Sequence, residues 1–507
     1  MSKSIYLINP ASDYPSYFGS EVFAAWGVRP AINNADLATT TIAGMLPADF
    51  DVLLCEEHIT PVDFDAAVDY VGITGKISQR NRMISLAEQF RRRGKTVIMG
   101  GPYASLSPDA LRPYCDILVR GEVEEIIDLI CDDLRTSSWK PEYIGNKADL
   151  SNCATPKWNQ YPNDRARTGT LQTSRGCPFE CEFCDVIQYL GRKQRHKPIN
   201  LVLAELNELY RYGYRSVFLA DDNFTVYRSR AKELLAALRD WNDQREEGTV
   251  DFSTQVSIDA AKDEELLRMC AEAGLRSVFI GIETPNEDSL IETKKRQNTK
   301  VNLVEQVQRF FDYGIYVMGG MIVGFDSDGP DIFRRQYEFA MTASIPILSL
   351  GALVAPQATP LHARMKKLGR LEENGVETAA TPWDTNIIPH QMTRTQLIEG
   401  IRWLYNSLYR PAALTERISS FVVKLKTTSF NPHNTRNVTR PMSRSIEIDI
   451  MALIVKLASL GPEEAEMAST LAELSTKRMD AMPFIKDALA SYAQIRFMSE
   501  RGSFWDQ

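Results

Sequence analysis

Short apolar runs alternate with stretches whose apolar residues recur every three or four positions, and the rhythm changes twice along the chain. Up to residue 135 the runs are Ser4–Asn9, Asp51–Cys55, Tyr70–Thr74, Thr96–Met99 and Ile117–Val119, rich in Ile, Val and Leu. Such runs predict strands buried on both faces, as in a parallel sheet. Between them, Ala35–Leu46, Gln79–Arg93 and Glu124–Leu134 have helical spacing. This alternation predicts a doubly wound, Rossmann-like α/β domain over 1–135. Gly100-Gly101-Pro102 and Gly121-Glu122 follow two of the strands, at the edge where such sheets take ligands.

Residues 136–168 are polar, carry Pro141, Pro156 and Pro162, and predict a linker. From 169 to 358 the alternation resumes with a longer period. Strands are predicted at Thr170–Ser174, Ser216–Ala220, Asp251–Ser257, Ser277–Glu283, Tyr316–Gly324 and Leu348–Val354. Helices are predicted between them at Asn200–Tyr212, Arg228–Arg245, Asp263–Ala273, Leu303–Tyr313 and Asp331–Ala343. Six β/α units in series predict a (β/α)6 partial barrel with its chemistry at the C-terminal strand ends. After Pro360 the strand signal fades. Arg394–Tyr409, Ile446–Leu460 and Glu463–Phe497 predict a mainly helical domain over 359–507.

Composition is that of an ordinary globular protein, with 44% hydrophobic and 24% charged residues. The net charge of −8 argues against a chain-wide nucleic-acid surface. No run of about 18 apolar residues predicts a membrane span. Met1–Pro10 reads as a strand and not as a secretory signal, so a cytoplasmic protein is expected. Cysteines usually stay reduced there, so close spacing points to metal or redox chemistry before disulfides. Cys55, Cys115, Cys131, Cys153 and Cys270 are scattered and read as small core residues.

The remaining three cysteines follow the first barrel strand in Thr173-Ser174-Arg175-Gly176-Cys177-Pro178-Phe179-Glu180-Cys181-Glu182-Phe183-Cys184. The spacing is C-x3-C-x2-C. Three thiolates on one loop can hold three corners of a [4Fe–4S] cubane and leave the fourth iron open. The structural alternative is zinc, with His196 as a fourth ligand.

This motif resembles that of the radical S-adenosylmethionine (SAM) superfamily. Ala220-Asp221-Asp222-Asn223-Phe224, Phe279-Ile280-Gly281-Ile282-Glu283-Thr284-Pro285 and Met321-Ile322-Val323-Gly324-Phe325-Asp326-Ser327-Asp328 resemble segments of its cobalamin-binding-domain proteins. So do Gly191-Arg192-Lys193 and Thr359-Pro360-Leu361. The subgroup includes hopanoid C-methylases and has a C-terminal helical domain of unassigned role. The resemblance implies cluster ligation by Cys177, Cys181 and Cys184. It implies SAM contacts from Asp222 and Asn223 (amino group), from Gln255, Ser257 and Glu283 (ribose and carboxylate), and from Val323 and Gly324 (adenine). Asp221 and Asp222 have an alternative reading as caps of the following helix.

Cobalamin is implied for the N-terminal domain. The contacts would come from Thr74, Gly75, Lys76 and Ser78, from Gly100, Gly101 and Tyr103, and from Gly121 and Glu122, with glycine admitting a bulky ligand. The D-x-H-x-x-G motif is absent. Glu56-x-His58-x-x-Pro61 is only a near miss, and His58 reads as a surface or satisfied histidine.

The resemblance predicts methylation of an unactivated carbon of a small molecule or lipid, with an electron donor such as flavodoxin or ferredoxin. Two alternatives stay open within the family. One is transfer of a 3-amino-3-carboxypropyl group from SAM, as in arsenic-containing amino acid biosynthesis; the other is radical ring formation or rearrangement. A cobalamin- or cluster-bearing regulatory module is the non-enzyme alternative. Trp383, Asn386, Pro389, His390 and Tyr405 are candidates to line a cavity closed by the C-terminal region, each with an alternative reading as a packing residue.

Overall fold

The computed structural model describes residues 2–372, 383–427 and 443–505. In chain order the strands are β1 (Lys3–Asn9), β2 (Ile32–Asn34), β3 (Phe50–Glu56), β4 (Tyr70–Thr74), β5 (Thr96–Gly100), β6 (Ile117–Arg120), β7 (Glu142–Ile144), β8 (Ala166–Leu171), β9 (Ser174–Arg175), β10 (Arg195–His196), β11 (Ser216–Leu219), β12 (Asp251–Val256), β13 (Leu275–Glu283), β14 (Tyr316–Val323) and β15 (Ile347–Ala352).

The first sheet runs β3-β1-β4-β5-β6-β7, parallel throughout. Every residue of β4 is buried, because apolar clusters cover both faces of the sheet. That is why its strands read as unbroken apolar runs. Two short strands depart from the sequence pattern. Ile32–Asn34 lies within the stretch 1–135, yet β2 pairs with β8 in the second sheet. Glu142–Ile144 lies in the stretch 136–168 read as a linker, yet β7 pairs with β6 and extends the first sheet. Three residues are too few to display a period of two, so partner strands define both elements.

The second sheet runs β15-β14-β13-β12-β11-β8-β2, also parallel, and forms the partial barrel. All six strands read from the sequence are present. β8 sits earlier than expected, since Ser174 and Arg175 leave the sheet to form a short antiparallel ribbon, β9 with β10.

The C-terminal helices pack against this barrel. Helix Met482–Arg501 touches both helix Glu21–Ala25 and β15. The Gln494 side chain accepts from the Val22 N–H (3.1 Å) and donates to the Ser16 carbonyl (2.9 Å). The stretch Glu463–Phe497, expected as one helix, is two: Pro462–Lys477 and Met482–Arg501. Arg478 turns back onto Asp480 (2.7 Å), and Pro483 opens the second helix. No helix among the described residues is long and apolar enough to cross a membrane.

Candidate active site

Cys177, Cys181 and Cys184 lie in the loop between β9 and β10, whose register pairs Arg175 with Arg195. Asp221, just past β11, holds this ribbon to the barrel. Its buried carboxylate accepts the Thr173 N–H (2.7 Å), the Ser174 N–H (3.0 Å), the Ser174 hydroxyl (2.9 Å) and the Thr173 hydroxyl. Asp222 accepts the Gly176 N–H (2.8 Å), and burial pushes its carboxyl up to about 6. Neither aspartate caps a helix; the next one starts at Arg228. Gly176 stands at φ +94°, and a Cβ there would fall 2.8 Å from the carbonyl oxygens of Gly191 and Lys193. The turn therefore demands glycine.

Cys181 is buried, and Gln297 Nε2 donates to its Sγ at 3.6 Å. The Lys295 ammonium, paired with Glu283 at 2.6 Å, is near enough to Cys181 and Cys184 to feel their charge. It lies 6.0 Å from the Phe183 ring centroid. Burial pushes the Cys177 thiol up and the Cys184 thiol to about 12, so both stay protonated until a metal offsets the cost of the thiolate. Three soft sulfur donors beside an amide donor and an ammonium suit an iron–sulfur cluster. His196 packs edge-on against Tyr227, 5.6 Å between centroids. Among the described residues no three His, Cys, Asp or Glu side chains stand close enough to hold a metal ion as placed, the cysteines included. The assignment therefore rests on donor chemistry and position.

The residues expected to meet SAM line the C-terminal strand ends. Asn223 donates to the Ser257 hydroxyl at 2.5 Å, while its buried Oδ1 has no hydrogen-bond partner. An orphaned acceptor suits an ammonium donor. Gln255 is exposed at the end of β12. Glu283 sits at φ +64° beside a register shift between β13 and β14, which turns its carboxylate back over Gly281 toward Lys295. Val323 ends β14. The N–H groups of Gly324 and Phe325 are fixed by the buried Asp328 carboxylate at 3.0 and 3.1 Å. Sequence alone does not mark Lys295, one of the basic run Lys294-Lys295-Arg296, or Asp328, because neither shows its partner there.

The loops expected to meet cobalamin follow β4, β5 and β6; helix Gly101–Leu106 after β5 touches Val186–Tyr189, and the turn after β6 reaches Arg175 and Arg195. Their glycines serve the chain itself. A Cβ on Gly75 would meet Met83 Sδ at 2.7 Å, one on Gly101 would meet Thr74 Oγ1 at 2.5 Å, and one on Gly121 would meet the Gly145 carbonyl at 2.2 Å. At these three positions protein segments approach one another closely enough to require glycine or a shift of a neighbour. For Gly100 the nearest atom is the Val119 carbonyl oxygen at 3.5 Å, an ordinary contact. Thr74 and Tyr103 are buried, Ser78 is half-buried and Lys76 is exposed. Glu122 is engaged: Arg175 reaches one oxygen at 2.8 Å and Arg195 grips both, at 2.6 and 2.8 Å. Burial opposes its ionisation, but hydrogen bonds from Arg195 and Arg175 outweigh that and hold the carboxyl below its ordinary range. Arg175 also pairs with Glu124 at 2.5 Å. His58 is satisfied between Glu56 (3.0 Å) and Glu21 (3.6 Å).

Three of the C-terminal candidates, Trp383, Asn386 and Tyr405, fasten the chain. Trp383 stacks on Phe504, 4.8 Å between centroids. Asn386 exchanges two 2.9 Å hydrogen bonds with the Ala355 backbone. Tyr405 is buried and donates to the Ile495 carbonyl at 2.8 Å. Pro389 is buried and His390 exposed.

A family model of the radical SAM superfamily matches residues 171–339, and one described as a domain of unknown function (DUF4070) matches 359–505. An uncharacterized methyltransferase from Synechocystis sp. is 35% identical over 399 residues, covering 77% of this chain and 73% of its own length. The hopanoid C-2 methylase of Rhodopseudomonas palustris is 28% identical over 407 residues, covering 79% and 76%. Two solved structures share the fold. The radical SAM methyltransferase TsrM from Kitasatospora setae, with cobalamin and a [4Fe–4S] cluster bound, superposes with a TM-score of 0.60 at 14% identity over 89% of this chain and 100% of that one. The cobalamin-dependent SAM radical enzyme OxsB, with aqua-cobalamin and SAM bound, gives 0.62 at 16% identity over 99% and 80%.

Proposed function

Because this chain belongs to the radical SAM superfamily and to its methyltransferase relatives, we propose that it is a cobalamin-dependent methylase of an unactivated carbon in a small molecule or lipid. The observation that carries this reading is the meeting of two ligand-binding edges. The turn after β6 is joined to the cysteine ribbon through Glu122, Arg175 and Arg195, and helix Gly101–Leu106 after β5 touches Val186–Tyr189 just past Cys184. A ligand held by the first domain would then lie close to one held at the barrel mouth.

When bound, the cluster supplies the electron that splits SAM into a carbon radical, and cobalamin supplies a carrier for the methyl group. The chain's own part is to hold and orient. Cys177, Cys181 and Cys184 would ligate the iron. Asn223 Oδ1 would accept from the SAM ammonium. Gln255, Ser257 and the Glu283–Lys295 pair would meet its ribose and carboxylate. The backbone of Val323 and Gly324, stiffened by Asp328, would flank the adenine. Asp222 holds the loop at Gly176. Lys76 and Ser78 are the side chains at the opposing edge left open to a corrin. A small acidic electron carrier such as flavodoxin or ferredoxin would serve as reductant.

The test is anaerobic reconstitution with iron, sulfide and cobalamin, then incubation with SAM and reductant and mass spectrometry of the nucleosides. 5′-Deoxyadenosine together with S-adenosylhomocysteine, from protein that retains cobalamin, is the expected result. 5′-Methylthioadenosine instead would redirect the reading to aminocarboxypropyl transfer. Loss of neither product in Cys181→Ala would overturn the cluster assignment.

A further inference from the structure

Below the Glu283–Lys295 pair the barrel holds a cavity of about 350 Å³, walled by β13, β14 and β15 on one side and by Tyr17 and Met498 on the other. Glycines run across its floor, with Glu283 and Lys295 closing over Gly281 and the Phe279 ring over Gly320. Gly281 of β13 lies in register with Gly320 of β14, and Gly320 with Ser349 of β15. Two residues further along, Ile322 stands beside Gly351. The walls above this shelf are apolar, with Phe279 and Ile322 reaching in. Glu283 is the one charged residue among the described lining residues, and Lys295 already neutralises it. A second cavity, of about 300 Å³ at the N-terminal strand ends, is lined by Arg167, Arg276, Asp251 and Asp487. The apolar lining is therefore a local property of the upper cavity.

We infer that the part of the substrate entering the barrel is an uncharged hydrocarbon segment lying over Ser349 and Gly351 of β15, against the Phe279 and Ile322 side chains, and that Gly351 sets the room it has. This rests on the function proposed above and names its substrate class. A charged segment would be buried without a partner, at a cost that apolar walls do not offset. A hydrocarbon segment gains from every wall atom it covers. The glycines divide by what a side chain would meet. At Gly320 a Cβ would come within 2.9 Å of the Phe279 ring, and at Gly281 within 2.4 Å of the Glu283 carboxylate. At Gly351 it would meet nothing within 4 Å. Gly351 thus borders free space that neighbouring residues do not require.

The experiment uses the reconstituted holoenzyme and the neutral hydrocarbon diphenylhexatriene, whose fluorescence rises when it leaves water. Saturable binding to wild type is expected, with Kd raised at least tenfold in Gly351→Leu at unchanged iron content and Tm. Should that variant lose iron, Gly351→Val decides in its place, with at least a threefold rise expected. Wild-type-like binding in the variant that folds, or competitive displacement of the probe by SAM, overturns the inference. A wild type that makes both nucleosides but takes up no probe overturns this inference alone. One that makes neither nucleoside overturns the function it rests on, whatever the probe does.

Discussion

Four donors of the cysteine ribbon converge on the single carboxylate of Asp221. Hydrogen bonds to a buried charge are the strong ones, so Asp221→Ala is expected to cost about 3 kcal/mol and to lower iron uptake. Chemical denaturation and iron analysis of the reconstituted variant check this. Gly176→Ala meets a different obstacle, two carbonyl oxygens and a left-handed backbone. It should retain near-wild-type Tm in the barrel and first domain but bind substoichiometric iron, measured side by side with wild type. The three cysteines were legible in the sequence because spacing alone puts them on one loop. Asp221 and Asp222 were not, because an aspartate before a helix has two common uses. The choice depends on whether another strand end lies within 3 Å, and Thr173 is 48 positions away.

At the scale of elements, long strands and helices announced themselves. β4 and helix Arg394–Tyr409 have the bounds their patterns predict. The misses are short pieces whose pairing partners are distant, β2, β7 and the break between Lys477 and Met482, together with one longer helix, Pro411–Lys424. β2 and β15 are the two edges of the barrel sheet, and helix Met482–Arg501 ties the segment beside β2 to the segment beside β15. Gln494 makes the β2-side half of this tie, through the Val22 N–H, the Ser16 carbonyl and Glu21 (2.6 Å). Gln494→Leu leaves the Val22 N–H buried without a partner, while the Ser16 carbonyl keeps the Gly19 N–H at 3.1 Å. A loss of about 1–3 kcal/mol is expected by urea denaturation, while iron content per folded molecule stays unchanged.

Across the whole molecule, Glu122 is where the first domain grips the cysteine ribbon. Glu122→Gln leaves two half-buried guanidiniums short of a counter-charge, although Arg175 keeps Glu124. A loss of about 1–3 kcal/mol is expected. The folded carboxyl is held below its ordinary range, so its contribution is complete above about pH 4.3 and fades as pH falls through the depressed value. The stability gap between wild type and Glu122→Gln should be flat near neutrality and close on acidification. A gap that instead widens in acid would contradict the sign of this shift. The sequence marked Gly121-Glu122 as a ligand loop, since a Gly-rich turn after a parallel strand has that use in general. In the fold the same turn is occupied by Gly145 and by two arginines from the ribbon.

The sequence by itself determined the α/β architecture and the position of the thiol loop. Periodicity and spacing are local, and three thiols within eight residues need no tertiary contact to be neighbours. Only the tertiary structure decided which carboxylates hold that loop, that β2 belongs to the barrel, that Glu122 is a joint between domains, and that an apolar shelf with room at Gly351 lies below Glu283. Each of these depends on residues far apart in the chain arriving at one place. Their meeting is set by packing and charge compensation, which no local pattern records.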